Sequence, residues 1–389
     1  MGDAHPLESR MKRIALVASS FAPEIGGVET HVQEVASELA SRGHEVEVWT
    51  VARDGIAVDR TSSGIAVRHL PTPLPARAPS AGVHFLRAFP AARAAWRRAI
   101  ADFRPDVLHV QCFGPNGVYG TAFARARGLP LVVSSHGETI ADADVFGMSV
   151  LARTALRRAL RDAAAVTGCS PVVLEDLRAR FGLEPDRGEI VPNGVNLSVE
   201  SEPIAGLPAV YLAGVGRLEH VKGFDLLVRA FGAADMGTDV HLVLGGDGRL
   251  AESLRASVDA LSLSTRVHLI GRLSPPAVAE LLGGALAVVV PSRFEAFGIA
   301  VLEAWRARRP LIASNRGGIP GIVRDGIDGL LINPDDLAGF ARTLEMIVRD
   351  ESLRDRIAQA GARRVKNFRW TDVADGYESI YDRVTRDAE

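Results

Sequence analysis

RIALVASSFAPEIGGVETHVQEVASELASRGHEVEVWTV, residues Arg13 to Val51, holds one strand, one helix and a second strand. The run from Arg13 to Ser19 is almost unbroken apolar sequence, as a strand buried on both faces requires. Val28, Val32, Val35 and Leu39 then recur at helical spacing, Gly43 stops the helix, and Glu45 to Val51 alternates. Two strands joined through a helix predict a parallel sheet with helices on its faces.

The alternation continues outward from that stretch. Helices are expected near Phe85 to Ala101, Val118 to Arg127, Val150 to Arg161 and Val172 to Phe181, and strands at Asp106 to Gln111, Leu131 to Ser135, Ala164 to Thr167 and Glu189 to Val191. After Pro192, Asn193 and Gly194 the polar segment NLSVESEPIAGLP reads as a linker. A second series begins at Ala209, with strands to Val215, at Val240 to Leu244, Val267 to Ile270, Leu286 to Val290 and Pro310 to Ala313. Its helices are Phe224 to Phe231, Leu250 to Leu261, Pro276 to Leu282 and Ile299 to Arg308, and Leu337 to Val348, Ser352 to Val365 and Asp372 to Arg386 close the chain. The expected fold is α/β: two tandem Rossmann-like, doubly wound parallel-sheet domains facing a cleft, at 1–196 and 197–370, with 371–389 as a separate C-terminal helix. Ligands of such sheets bind outside the carboxyl ends of the strands, so the cleft is the expected site.

Composition narrows the function. The 389 residues carry 45 basic and 47 acidic side chains, so no global field favours nucleic acid or another polyanion. Two cysteines, Cys112 and Cys169, make neither a disulfide framework nor a four-thiolate metal site and suit a reducing compartment, so a cytoplasmic location is expected. The N-terminal MGDAHPLESR is polar, and no run is apolar enough to span a bilayer. Only Lys12, Lys222 and Lys366 are lysine, which makes a lysine inside a motif informative.

Gly26 and Gly27 sit between the first strand and helix, where their amides can approach a phosphate, or where they simply serve a tight turn. G-x-G-x-x-G spacing is missing there, and also at Gly214 to Gly216 and Gly245 to Gly248, which argues against a dinucleotide cofactor. In the second half, Gly216 is followed by Arg217 and, five residues on, Lys222, two cations in one loop that can pinch a diphosphate. PSRFEAFGIAVLEAWRARRP, Pro291 to Pro310, places Glu295 in a strand-to-helix loop and Glu303 inside the helix, roughly 7 Å along its axis. The helix start between them offers free amides. A carboxylate, an anion-binding helix end and a second carboxylate suit sugar, diphosphate and ribose; spacing alone also allows two exposed glutamates. Asp142-Ala143-Asp144 has the spacing of a metal-holding pair but follows no apolar strand, so no metal is expected.

Glu295 and Glu303 with seven residues between them, in SRFEAFG and VLEAW, followed by SNRGGIPG at Ser314 to Gly321, resemble the retaining glycosyltransferases of family 4. APEIGGVETHV at Ala22 to Val32, SSHG at Ser134 to Gly137, PNGVN at Pro192 to Asn196 and VGRLEHVKGFDLLVRAF at Val215 to Phe231 extend the likeness over nearly the whole chain. The resemblance implies a GT-B fold with an acceptor-binding N-terminal domain, a nucleotide-sugar-binding C-terminal domain and a last helix that returns to the N-terminal domain. By analogy Arg217 and Lys222 hold the donor diphosphate beside Gly216 and Gly27. Glu303 bonds ribose, and Glu295 with the amides of Phe297, Gly298 and Ile299 meets the transferred sugar. His136 lines the cleft; without the family it would read as an ordinary strand-end histidine. Arg272 is either a neighbour of the base or an exposed strand-end arginine.

Three residues depart from the family pattern: Asn196 replaces an aspartate, Gly321 a glutamate, and Ala296 a glycine. None is one of the charged groups assigned above. The expected activity is metal-independent, retaining transfer of a hexosyl or N-acetylhexosaminyl group from a UDP-sugar, or a GDP-sugar, to a small-molecule, glycan or lipid-linked acceptor. A nucleotide-sugar 2-epimerase and a silent nucleotide-sugar-binding protein are the alternatives. From Arg77 to Arg161, 12 arginines face 5 acidic residues. That excess is either solvated helix surface or a patch for a phosphorylated acceptor or peripheral contact with an anionic membrane.

Overall fold

The computed structural model describes residues 10–21, 26–52, 58–61, 63–75, 79–141 and 149–387. The chain divides into two compact units, one running to Pro192 and resuming at Trp370, the other spanning Asn193–Arg369.

The first unit is built on eight strands: β1 (Arg13–Ala18), β2 (Glu45–Val51), β3 (Val58–Arg60), β4 (Ala66–Leu70), β5 (Val107–Gln111), β6 (Leu131–Ser135), β7 (Ala165–Gly168) and β8 (Glu189–Ile190). Their order is β3-β4-β2-β1-β5-β6-β7-β8, parallel except for the β3–β4 pair. β3 and β4 were not expected from the sequence. They are short, and β3 is exposed along its length, so neither shows an apolar run.

Helices α1 (Gly27–Ser41), α2 (Pro79–Phe103), α3 (Pro115–Arg127), α4 (Glu138–Ala141), α5 (Val150–Asp162) and α6 (Pro171–Phe181) follow in chain order. Strand alternation sorts side chains between two cores. Ala15, Val17, Leu108, Val110 and Val133 join Trp96 of α2 and Leu156 of α5 on one face. Ile14, Leu16, Val107 and Val132 join Val32 of α1 and, on the same face, Trp370, Tyr377 and Tyr381 of the last helix (Trp370–Arg386). The same alternation delivers His109, Gln111 and Ser134, all buried, to this second face.

The second unit has six parallel strands, β9 (Tyr211–Val215), β10 (His241–Gly245), β11 (Val267–Gly271), β12 (Ala287–Val290), β13 (Leu311–Ser314) and β14 (Leu330–Ile332), in the order β11-β10-β9-β12-β13-β14. Helices α7 (Phe224–Ala233), α8 (Ala251–Ala260), α9 (Pro275–Gly284), α10 (Ile299–Arg306), α11 (Leu337–Arg349) and α12 (Glu351–Arg364) cover it, and the last helix, Trp370–Arg386, is α13. β14, only three residues long, was not expected either.

Candidate active site

In the second unit the polar residues gather on loops that leave the carboxyl ends of β9 and β12. Lys222, closing a 3-10 turn at His220–Lys222, donates to Glu295 Oε1 at 2.6 Å, and Ser292 Oγ donates to the same oxygen at 2.8 Å. Among the described residues no donor meets Glu295 Oε2. Arg293 holds the two loops together: its guanidinium grips both oxygens of Asp225 at 2.7 Å, its Nη1 reaches His220 O, and its amide bonds Val221 O. Burial works to raise the Asp225 pKa, but the hydrogen bonds and charge of Arg293 outweigh it and hold the carboxyl below its usual value.

Two glycines permit this approach. Gly223 has φ +69, and a Cβ there would lie 2.1 Å from Pro291 O; Gly317 has φ +66, and its Cβ would lie 2.1 Å from Glu295 O. With no side chain at 317, the amide of Gly318 reaches Glu295 O at 2.7 Å. Three contacts thus fix the backbone that carries Glu295.

Gly298 caps α10, leaving the first amides of that helix unpaired by its own turns. Phe297 is buried, its ring 6.0 Å from that of Phe368, so only its backbone can meet a ligand. Glu303, within α10, has no hydrogen-bond partner among the described residues. Burial pushes its carboxyl above the usual range, while the charges of Arg306 and Lys222 pull it down. Gly216 follows β9, its amide on Gly245 O at 3.0 Å. Arg217 and Arg272 are exposed at the ends of β9 and β11 with no polar partner among the described residues. The structure therefore joins Lys222 to Glu295 directly, sets Glu303 within their field, and leaves Arg217 and Arg272 unengaged.

The first unit holds His136 and Gly27. Gly27 is the exposed first residue of α1. His136 follows β6; its Nε2 lies 2.7 Å from Gln111 Oε1, and its ring stands edge-on to His31 with centroids 4.5 Å apart. Its Nδ1 is buried without a partner among the described residues. Desolvation lowers the His136 pKa to about 4. Glu138 fastens the same turn, accepting the amides of Phe113 at 2.9 Å and His136 at 2.8 Å and the hydroxyl of Ser135 at 3.0 Å. Burial raises the Glu138 pKa against those hydrogen bonds.

Behind His136 lies a buried neutral network. His109 Nδ1 is 2.6 Å from Tyr381 Oη and its Nε2 is 2.6 Å from Ser134 Oγ; Ser134 Oγ is 2.5 Å from Thr167 Oγ1, and His31 Nε2 is 3.0 Å from Tyr377 Oη. Burial, with His136 nearby, lowers the His109 pKa to about 3, and burial pushes Tyr377 up to about 12. Sequence reasoning missed this network and the Arg293–Asp225 clamp. Arg293 and Asp225 lie within quoted motifs, but no periodicity pairs residues 68 apart.

Arg77, Asp142 and Asp144 lie outside the described residues, and among the described residues no three His, Cys, Asp or Glu side chains converge as a metal site. Arg93, Arg97, Arg98, Arg157, Arg158 and Arg161 are exposed on helix faces. A 440 Å³ cavity beside α5 and α6 is rimmed by arginines that cap backbone carbonyls, Arg187 on Leu160 O and Ala163 O and Arg157 on Arg180 O. Among the described residues no helix is long and apolar enough to cross a membrane.

Residues 207–364 match the family described as Glycosyl transferases group 1, and residues 25–199 match Glycosyltransferase Family 4. A D-inositol 3-phosphate glycosyltransferase of Acidothermus cellulolyticus is 30% identical over an alignment covering 95% of this chain and 90% of the relative. The fold is similar to that of a sucrose-phosphate synthase from Thermosynechococcus elongatus, with a TM-score of 0.81 at 22% identity covering 96% of this chain and 100% of the other. It is also similar to HepE of Anabaena, solved with UDP and glucose, with a TM-score of 0.75 at 19% identity covering 95% and 98%.

Proposed function

Given that the chain belongs to the group 1, family 4 glycosyltransferases of GT-B fold, we propose that it moves a hexosyl or N-acetylhexosaminyl group from a UDP-sugar to an acceptor hydroxyl, without a metal and with retention. One observation carries this reading: Glu295 spends one carboxylate oxygen on Lys222 and Ser292, and no donor among the described residues meets the other. A carboxylate held this way can accept sugar hydroxyls while the ammonium beside it faces a phosphate.

Breaking the anomeric bond places negative charge on the departing diphosphate. Lys222, Arg217 and the opening amides of α10 supply fixed positive charge for that change, and such groups stabilise the transition state more than the ground state. In this reading Glu303 accepts ribose hydroxyls, which return hydrogen bonds to a carboxylate whose burial they would otherwise leave uncompensated. No side chain of the second unit stands as a nucleophile beside Glu295. Retention then follows from front-face attack, with the leaving phosphate taking the acceptor proton. His136 meets a substrate hydroxyl from the first unit. Uridine is the first base to test because the Anabaena neighbour binds UDP, and an inositol phosphate, named in the Acidothermus relative, heads the acceptor panel.

Thermal shift against UDP- and GDP-sugars tests the donor, since a ligand at a hundred times its Kd stabilises the fold by about 2.7 kcal/mol. NMR of the product then reads the anomeric configuration, with and without EDTA. An inverted product, activity lost to chelation, or an isomerised donor formed without acceptor would each overturn the proposal.

A further inference from the structure

His136 presents a choice of tautomer that the surrounding atoms decide. Its Nε2 faces Gln111, and its Nδ1 is buried with no partner among the described residues. A buried N–H without an acceptor is rarer and costlier than a buried lone pair without a donor. The proton therefore sits on Nε2 and is donated to Gln111 Oε1, and Nδ1 is left as a bare acceptor.

The Gln111 amide is oriented from its other end. Its Nε2 faces His109 Nδ1 at 3.4 Å, and Tyr381 Oη approaches the same nitrogen at 2.6 Å. With Tyr381 donating to Nδ1, His109 carries its own proton on Nε2 and gives it to Ser134 Oγ at 2.6 Å. The single lone pair of His109 Nδ1 is taken by Tyr381, so the partner that holds the Gln111 amide at that end is Tyr377, which shares a side-chain hydrogen bond with it. Just beyond Gln111 the backbone turns left-handed at Cys112, with φ 65, a conformation that L-residues adopt rarely and that collects at functional sites.

We propose that Gln111 is a positioning residue: anchored by Tyr377, its amide fixes His136 as the Nε2–H tautomer, so that the bare Nδ1 accepts a hydrogen bond from a carbohydrate hydroxyl. The inference rests on the reading of His136 as a substrate-facing residue. It gives the buried face under α13 a task in the reaction, because Tyr377 of α13 sets the direction of the amide.

Selective ¹⁵N labelling of histidine, read by two-bond ¹H–¹⁵N correlation, tests it on the unmutated protein. His136, identified by the signal lost in His136→Ala, is expected as a single Nε2–H tautomer at neutral pH. An Nδ1–H pattern or an imidazolium overturns the proposal. In Gln111→Leu the His136 signals are expected to move toward a tautomer mixture, and kcat/KM to fall about tenfold. An unchanged tautomer, or a changed one with full activity, also overturns it.

Gln111→Glu keeps an acceptor facing Nε2 but brings a negative charge beside the ring. The other groups facing His136 are His31 from α1, His109 from β5 and Glu138 on its amide. The added carboxylate raises the histidine pKa, so activity in Gln111→Glu is expected near the unmutated level at high pH and to be lost as pH falls, when Nδ1 becomes a donor. A profile parallel to that of the unmutated protein contradicts the mechanism. Full activity in His136→Ala would instead defeat the substrate-facing reading, and the tautomer spectrum separates the two failures. Saturation with donor and acceptor in turn shows whose KM rises in Gln111→Leu, and so which substrate supplies the hydroxyl.

Discussion

Glu295 in the second unit and His136 in the first both follow a parallel strand, yet their partners differ in kind. Glu295 is held by a cation, a hydroxyl and backbone contacts on partly exposed loops. His136 leans on neutral groups buried between a sheet face and α13, two of them tyrosines from the far end of the chain. A charge acts over several ångströms and tolerates water nearby, so loops suffice to place it. A tautomer has meaning only where each neighbour's donor and acceptor are fixed, and that requires burial. Damage to the two regions should therefore show differently, as lost rate in one and as altered proton linkage in the other.

The largest effect is expected at Lys222. Lys222→Met removes the ammonium without adding a charge, and kcat should fall by about a hundredfold or more, the effect of deleting one donor to a developing anion, about 3 kcal/mol. Stability should change little, because the Lys222 side chain is 25% exposed and such pairs contribute about 1 kcal/mol or less. A melting point several degrees lower with turnover intact at saturating substrates would erase the contrast between the units.

His109 gives the converse. Its folded pKa of about 3 lies below the usual 6.5, so between those values unfolding takes up a proton. The stability this histidine contributes is complete above its unfolded pKa and is lost as pH falls toward the folded one. His109→Gln should flatten the dependence of unfolding free energy on pH by about 1.4 kcal/mol per pH unit between pH 4 and 6, one proton's worth. Urea unfolding of both proteins at several pH values measures it. Parallel curves would mean that His109 is not buried neutral.

Glu303 tests whether the charged region sacrifices stability for function. Its carboxyl has no hydrogen-bond partner among the described residues and its pKa is raised, so the ionised form is disfavoured in the fold. A group with a raised pKa loses its contribution as pH rises through the folded value. Glu303→Gln should then be more stable than the unmutated protein at pH 7, with the gain vanishing in acid, while donor affinity falls. Equal stability at both pH values would remove the argument.

The contrast also explains what the sequence could disclose. Arg217, Lys222 and Glu295 lie within short motifs at strand ends and Glu303 in the helix that follows one of them, where charge and glycine stand out from apolar neighbours. Strand alternation carried both sheets for the same reason, failing only at β3, β4 and β14, which are too short or too exposed to show a period. His31, His109, Gln111, Tyr377 and Tyr381 are scattered over 351 residues and look like ordinary members of amphipathic elements. A trace was available: His109 and Gln111 occupy alternate positions of a strand otherwise read as core, and two polar residues on one face of a buried strand need partners. Nothing local says that those partners come from the last helix.

The smallest effect is expected at the Arg293–Asp225 clamp. Both of its bonds are 2.7 Å and bidentate, which is the strong geometry, but each side chain is about a quarter exposed, so water competes for it. Asp225→Asn keeps the shape and discards the charge, and should cost about 0.5 to 1 kcal/mol of stability. Because the folded pKa of Asp225 lies below the usual 3.8, that contribution is present above the unfolded value and lost as pH falls through the folded one. The two proteins should therefore differ by a constant amount at neutral pH and converge in strong acid. The Glu295 backbone keeps its tie to Gly318 in the variant, so its carboxylate should stay near Lys222 and donor KM should rise only a few-fold. A loss as large as that of Lys222→Met would show that the carboxylate is placed by the clamp and not by the close approach of Gly317, and a single long-range ion pair would then govern the charged region as burial governs the neutral one.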